Sequence, residues 1–328
     1  ANNKGGGASE CTLVNCTLSD NSAGRAGGGA SECTLSNCTL SGNSAEDDSG
    51  GADGCTLDNC RLSGNRANDK GGGASECTLF NCTLTDNSAG RDGGGASECT
   101  LSNCTLTGNS AQDGGGGAWS ATLNNCTVTG NSGRTGGGVA GSTSYNCIVY
   151  HNQAPVGPNS IDSTFHYSCT TPLPLEGLGN ITGDPQLASW THLSASSPCL
   201  GAGSAAYASG WDIDGQPWST PPCMGADQLT LGAATGPLAV ALITDFTHVA
   251  VGFPVHFQAQ VEGQTTSNSW DFGDGTVLTN RLESVHAWQT PGTYSGRLTV
   301  FNDASPGGVT STVAVQTIAA PVFYVNQA

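Results

Sequence analysis

Cysteine is the most reactive side chain in this sequence, and it is laid out as a pattern. Of 15 cysteines, Cys11, Cys33, Cys55, Cys77 and Cys99 form one column at a spacing of 22 residues, and Cys16, Cys38, Cys60, Cys82, Cys104, Cys126 and Cys147 form a second. A repeated C-x4-C could hold zinc or an iron cluster, cross-link, or act as small apolar filler. The metal reading meets the objection that no histidine or second ligand pair accompanies it at fixed spacing. A bond within one C-x4-C needs Cα atoms closer than about 7 Å, which extended residues around a corner tend to prevent. Bonds between neighbouring copies and plain reduced packing both stay open. Ala121 stands where the first column calls for cysteine, which argues against obligatory pairing within each copy.

The acid and base groups form no comparable pattern. A polysaccharide lyase needs clustered carboxylates for calcium and an arginine or lysine base on one face. Here Asp47 and Asp48, or Asp20 and Asp86, sit in turn-like stretches, and Arg25/Arg91 and Lys4/Lys70 are duplicated positions without an adjoining acid cluster. A glycosidase needs two carboxylates about 5–10 Å apart across a groove, and no pair nominates itself. The histidines are scattered, and no Ser-His-Asp arrangement is suggested. The expectation is therefore no catalytic, cofactor-binding or metal residue. Calcium-dependent stiffening through Asp271, Asp274 or the Asp-rich turns is permitted by the acidic excess, although no loop has the spacing of a calcium motif.

What positions these residues is a repeat. Asn21, Asn43, Asn65, Asn87 and Asn109 mark one column at 22 residues, continued by Asn131 and, one residue early, Asn152; Asn15, Asn37, Asn59, Asn81 and Asn103 mark another. Leucine columns run from Leu13 to Leu123 and from Leu18 to Leu106. A period this short implies a solenoid. Each copy offers Thr-Leu pieces punctuated by Asn, Gly and Ser, with no helical stripe, so three short strands and three turns per coil are expected. Glycine and asparagine suit left-handed corners, and each asparagine amide can bond its copy one coil away, about 4.8 Å along the axis. The reading is all-β: a right-handed parallel β-helix of about 22 residues per coil. ANNKGGGASECTLVNCTLSDNSAGRA returns at Ala67 as ANDKGGGASECTLFNCTLTDNSAGRD, a duplication of three coils at once.

Composition agrees. Glycine at 49 residues, aromatics at 6% and charged residues at 11% suit a narrow solenoid better than a thick globular core. Nine basic against 26 acidic residues, a net charge of −17, disfavours nucleic acid and anionic membranes. No apolar run approaches a membrane span, and the first residues are not a signal peptide. Ala1 enters in mid-repeat, so a processed chain or a piece of a longer one is expected.

After Asn152 the period breaks into irregular coils, with Trp190, Trp211 and Trp218 expected to plug the open end. Cys199 and Cys223 flank the closing segment and are disulfide candidates. The coil GGGASECTLxNCTLTGNSA, the passage NCIVYHNQAPVGPNS…SCTTPLP…GNITGDPQL and the ending SPCLGAG…WDIDGQP…MGADQ together resemble the choice-of-anchor Q type of pectate-lyase-like β-helix, over residues 1–228. The resemblance implies a secreted bacterial surface protein of unassigned activity, and makes Asp212 and Asp214 structural. Fold alone conveys no lyase chemistry.

A linker, 229–236, leads to period-two alternation, as in sandwich strands. Trp270 to Gly275 (WDFGDG), His286-Ala287-Trp288 and Pro291 to Tyr294 (PGTY) closely resemble the PKD domain, an immunoglobulin-like sandwich, over 237–318. The resemblance makes Trp270, Phe272 and Tyr294 core, with Asp271 and Asp274 organising the turn through backbone amides. Residues 319–328 end in FYVNQA, which looks like the opening strand of another β-helix unit. The resulting expectation is a non-enzymatic structural protein at the cell surface. Its expected partner is itself, as tandem units or head-to-tail copies in a fibre, matrix or adhesin stalk, with cell-surface glycans or other matrix proteins as further candidates. The alternative is a carbohydrate-binding or carbohydrate-cleaving module on a PKD spacer.

Overall fold

Corners come first, because they decide how many faces each coil has. In the computed structural model, which describes residues 4–319, Gly5, Glu10, Asn15 and Asp20 all adopt left-handed backbone, with φ of 66°, 51°, 54° and 54°, and Gly27, Glu32, Asn37 and Gly42 repeat them one coil later. These corners separate four strands, Ala8–Ser9, Thr12–Val14, Thr17–Ser19 and Ser22–Ala23. The three-strand expectation is thus corrected to four. The Ser-Ala dipeptide after each Asn21-type residue is long enough to pair with its own copies, and it makes the extra face.

Copies stack in parallel and in register, with Ala8 opposite Ala30, Leu13 opposite Leu35, Leu18 opposite Leu40, and Ala23 opposite Ala45. Three of the faces reach eight strands and the fourth reaches five. Alternation in the strands turns leucine and alanine inward, and the cysteines just before the strands are buried beside them: Leu35, Leu40, Ala30, Cys33 and Cys38 are all fully or almost fully buried. A buried leucine stabilises by about 1.5–3 kcal/mol relative to exposure, so the leucine columns are the main apolar contribution.

The two asparagine columns have different roles. Asn15, Asn37, Asn59, Asn81 and Asn103 are left-handed corner residues, with φ between 50° and 55°, and in the early coils their side chains face solvent. Asn43, Asn65, Asn87 and Asn109 are fully buried. Asn43 donates its backbone N–H at 3.0 Å and its Nδ2–H at 2.9 Å to Oδ1 of Asn65, and its other Nδ2–H to the Leu18 carbonyl at 2.9 Å. Asn65 does the same to Asn87 and Leu40, and Asn87 to Asn109 and Leu62. Every polar atom of the inner amide is therefore matched, the condition for burying it cheaply.

The chain divides into two compact units. The first runs to Pro185 and resumes over Pro198–Gln228; the second comprises Gln186–Ser197 and everything from Leu229 onward. The expected boundary at 228 therefore misplaces Gln186–Ser197, because these residues bond to sandwich strands. In the sandwich, Ala239–Thr244, Val255–Glu262 and Glu283–His286 form one sheet. His248–Ala250, Ser305–Ile318, Gly292–Asn302, Ser267–Asp271 and Val277–Thr279 form the other. Between them lie Phe257, Trp270, Phe272 and Trp288, each at most 2% exposed. FYVNQA lies outside the described residues.

The inner ladder makes a sharp prediction. Asn87→Ala removes the acceptor of two buried donors on Asn65, and urea unfolding should show a loss of about 3 kcal/mol. Asn59→Gly, at an exposed left-handed corner, should stay within about 0.5 kcal/mol of the parent.

Candidate functional site

The surface of the stack changes along its length. Counting the coil of Asn15 as the first, Asn15, Asn37 and Asn59 are exposed, whereas Asn103, Asn125 and Asn146 in coils five to seven are buried. Thr105, Thr127 and Ile148 on the adjoining face are buried too, although the equivalent Thr17 is exposed. The cover is the segment Pro198–Gln228, laid along the flank. Asn103 Nδ2–H donates to the Ser209 and Trp211 carbonyls at 3.1 and 2.8 Å. Asn146 exchanges bonds with Ser204, donating through Nδ2 at 2.8 Å and accepting on Oδ1 at 2.7 Å, and Thr127 Oγ1 accepts the Ala226 N–H at 2.9 Å. Gly225, at φ 96°, lets the segment press on Thr127 and Ile148; a Cβ there would fall 2.8 Å from both.

The three tryptophans expected to plug the end do otherwise. Trp190 belongs to the second unit, Trp211 is 56% exposed, and Trp218 donates its indole N–H to the Ser209 carbonyl at 3.3 Å. Phe165, 1% exposed, packs in the core at the last regular coil instead.

Aromatic side chains gather where the segment crosses coils seven and eight. Tyr145 stacks on His166 at 5.3 Å and on Tyr207 at 4.4 Å, and Tyr167 lies 6.2 Å from Tyr207. Nearby, Tyr150 meets His151 edge-on at 4.8 Å, and His151 Nε2 lies 3.8 Å from an Asp184 oxygen. Sequence reasoning missed this cluster; its signal was the concentration of Tyr145, Tyr150, Tyr167 and Tyr207 in a chain with 6 tyrosines. Both faces of the Tyr145 ring are taken by neighbours, so the cluster is first a clasp for the segment.

The ionic groups pair across coils. Lys4 Nζ lies 3.3 Å from Asp53 and 3.8 Å from Glu32, Arg25 lies 3.9 Å from Asp47, and Arg91 lies 3.3 Å from Asp69 and 3.9 Å from Asp113. Lys70 lies 3.5 Å from Glu98 and 4.6 Å above the Trp119 ring. These four bases are thus paired with acids one or two coils away, at largely solvent-accessible positions worth little in stability.

The thiols are ordered as ladders. Cys33 N–H donates to the Cys55 sulfur at 3.3 Å, while Cys33 Sγ–H donates to the Ser31 carbonyl at 3.2 Å. Where cysteine is lost the pattern survives: Ala121 N–H donates to Ser142 Oγ, Ser142 N–H to Ser163 Oγ and Cys147 N–H to Ser168 Oγ, at 3.0–3.1 Å. Serine doing the same work identifies the thiol's job as a corner hydrogen bond. Cys199 and Cys223, the two candidates of the closing segment, are both buried; the Cys199 thiol contacts Cys169, and that contact, with burial, pushes the Cys169 thiol up. Burial also pushes the Cys77, Cys82, Cys104 and Cys126 thiols well above the usual range.

One acidic cluster exists among the described residues: oxygens of Asp212, Asp214 and Asp227 lie within 4.8 Å of one another. Asp212 already accepts the Asp214 and Gln216 amides on Oδ1 and the Gln228 amide on Oδ2, and burial raises its pKa. Both Asp212 oxygens are thereby engaged by backbone amides.

In the sandwich, Asp271 Oδ1 accepts the Gly273 amide at 2.9 Å and Asp274 Oδ1 accepts the Thr276 amide at 3.0 Å, closing the turn. Asp274 Oδ2 lies 2.8 Å from His286 Nε2. Trp270 is fully buried, with its indole N–H on the Arg281 carbonyl at 2.9 Å. Tyr294 is partly buried, stacked on Trp288 at 5.2 Å. Burial opposes ionisation of Asp274, but the Thr276 amide and His286 outweigh it and hold the carboxyl below the usual range.

Two outcomes follow. Iodoacetamide at pH 8 should leave Cys77, Cys82, Cys104 and Cys126 unlabelled in the folded chain and label them after unfolding; Cys77→Ser should keep the fold, while Cys77→Val, which strands the Cys55 amide, should cost about 1–3 kcal/mol more by urea unfolding. A depressed carboxyl stabilises fully above its unfolded pKa of 3.8 and loses that contribution as pH falls through its lower folded value. The acid limb of sandwich unfolding, followed by tryptophan fluorescence, should therefore be shallower in Asp274→Asn.

Comparison with known proteins agrees with this architecture. A family model described as a right-handed beta helix region matches residues 4–154, and one described as a PKD domain matches residues 237–317. No curated protein matches. Among solved structures, the PKD domain of the human VPS10 domain-containing receptor SorCS2 is 23% identical, covering 40% of this chain and 98% of its own, with a TM-score of 0.23 that is too low to bear on the fold. The choice-of-anchor Q resemblance is narrower than either family model. The chain carries a right-handed β-helix region followed by a PKD domain.

Proposed function

We propose that this chain is a structural, non-enzymatic module of an extracellular surface protein: a coil stack and a sandwich that hold distance and bear load, used as tandem units of one long chain or as copies joined end to end. The observation that carries this reading is the inner asparagine ladder, in which each buried amide is committed to the next coil. Several side chains that could act on a substrate are likewise committed: Lys4, Arg25, Lys70 and Arg91 to acids of other coils, and the Asp212 carboxylate to backbone amides. PKD domains occur in extracellular and surface proteins, which supports the location. Among the described residues no helix is long and apolar enough to cross a membrane.

A second reading, glycan binding, is favoured by the aromatic cluster around Tyr145 and Tyr207. The rings offer edges and hydroxyls more than open faces, so the structural reading leads.

The test is turnover. The intact chain, incubated with polygalacturonate, alginate and heparin with and without calcium, should release no unsaturated uronide; turnover approaching the enzyme median of about 10 per second would overturn the proposal. On a glycan array, binding that is lost in Tyr207→Ala would promote the second reading. Sedimentation over a hundredfold concentration range separates the two modes of use: multiples of the single-chain mass support end-to-end copies, and one species throughout leaves the tandem mode.

A further inference from the structure

Gln186–Ser197 leaves the first unit, packs with the sandwich and returns, although the region matched as a PKD domain begins only at residue 237. The segment closes on itself, with Leu187 opposite Leu193 in an antiparallel bridge and the Ala188 amide on the His192 carbonyl at 2.9 Å. Leu187, Ala188, Ser189, Leu193 and Ser194 are at most 1% exposed. Its bonds to the sandwich meet groups that the sandwich strands leave unmatched. Asn268, 1% exposed, accepts the Arg281 amide on Oδ1 at 3.0 Å, and its Nδ2 donates to the Ala188 carbonyl at 2.9 Å. Ala259 lies beyond the end of the pairing between Val255–Glu262 and Glu283–His286, and its carbonyl accepts the Trp190 indole N–H at 3.0 Å. Thr266, just before the strand Ser267–Asp271, accepts the Ala195 amide at 3.3 Å, and Asn280 Nδ2 donates to Ser196 Oγ at 2.8 Å.

We infer that Gln186–Ser197 is a latch on which the sandwich depends. Without it the buried Asn268 amide and the Ala259 carbonyl lose partners, a cost larger than the gain that an average hydrogen bond brings. The chain passes between the two units three times, at Pro185, at Pro198 and after Gln228. This inference goes beyond the structural reading of the chain and stands whether or not the module bears load.

Hydrogen exchange on the full-length chain tests it. In a variant with 186–197 replaced by a Gly-Ser segment of equal length, amides of Val255–Glu262 and Ser267–Asp271 should exchange at least about tenfold faster, with coil amides unchanged. Unchanged protection in the sandwich would overturn the latch. Should that variant fail to fold, Trp190→Phe removes the donor while leaving a smaller aromatic ring; faster exchange reaching Val255–Glu262 supports the latch, and a change confined to 186–197 overturns it.

Discussion

Asparagine's side-chain oxygen is the acceptor on which the stack depends. At each level one Oδ1 receives two N–H groups from the coil before, so each coil reads the position of the next. That directional coupling adds to the register that leucine burial already sets, since a one-residue slip would turn the leucines outward and break the ladder together. The seventh coil shows its strength. Asn131 and Asn152 are 21 residues apart, and the ladder still closes at 3.0 Å. The missing residue comes out of the fourth face: Ser110 pairs with Ser132 at the older spacing, while Gly114 pairs with Thr135 at the new one. On that face continuous strand pairing ends after five rungs.

Around this ladder the other columns are interchangeable within limits set by chemistry. Cysteine gives way to serine because both offer one donor and one acceptor to the same corner; valine replaces leucine at Val128 because both bury apolar surface. Left-handed corners accept Gly, Asn, Asp, Glu and Ser, the last at Ser49 and Ser120. What cannot vary is the group that presses on a neighbouring backbone. A Cβ on Gly28 would fall 2.3 Å from the Ser44 carbonyl oxygen, which accounts for the glycine triplets better than any need for flexibility.

The parallel stack, its period and the sandwich were legible because each rests on local pattern: Thr-Leu alternation, 22-residue spacing and the WDFGDG turn. The number of faces was not, because Ser22–Ala23 is a two-residue strand that only its copies stabilise. Nor were the separate roles of the asparagine columns, since both present the same residue at the same interval. The flank cover was hidden for a different reason. Pairings such as Asn103 with Trp211 span 108 residues, and a single sequence carries no trace of them. Gln186–Ser197 was assigned to the wrong unit on the same account, because its partners Ala259 and Asn268 lie far along the chain.

The cover laid by Pro198–Gln228 makes direct side-chain bonds to the coils of Asn103, Thr127 and Asn146. Those coils are counted from the C-terminal end of the stack, so the closing apparatus is indifferent to how many coils precede them. A gene could add or delete the three-coil block seen between Ala1 and Ala67 by unequal recombination, and the finished end would need no compensating change. Length is in this sense a free variable of the molecule, adjustable in steps of three rungs while its terminus is inherited intact.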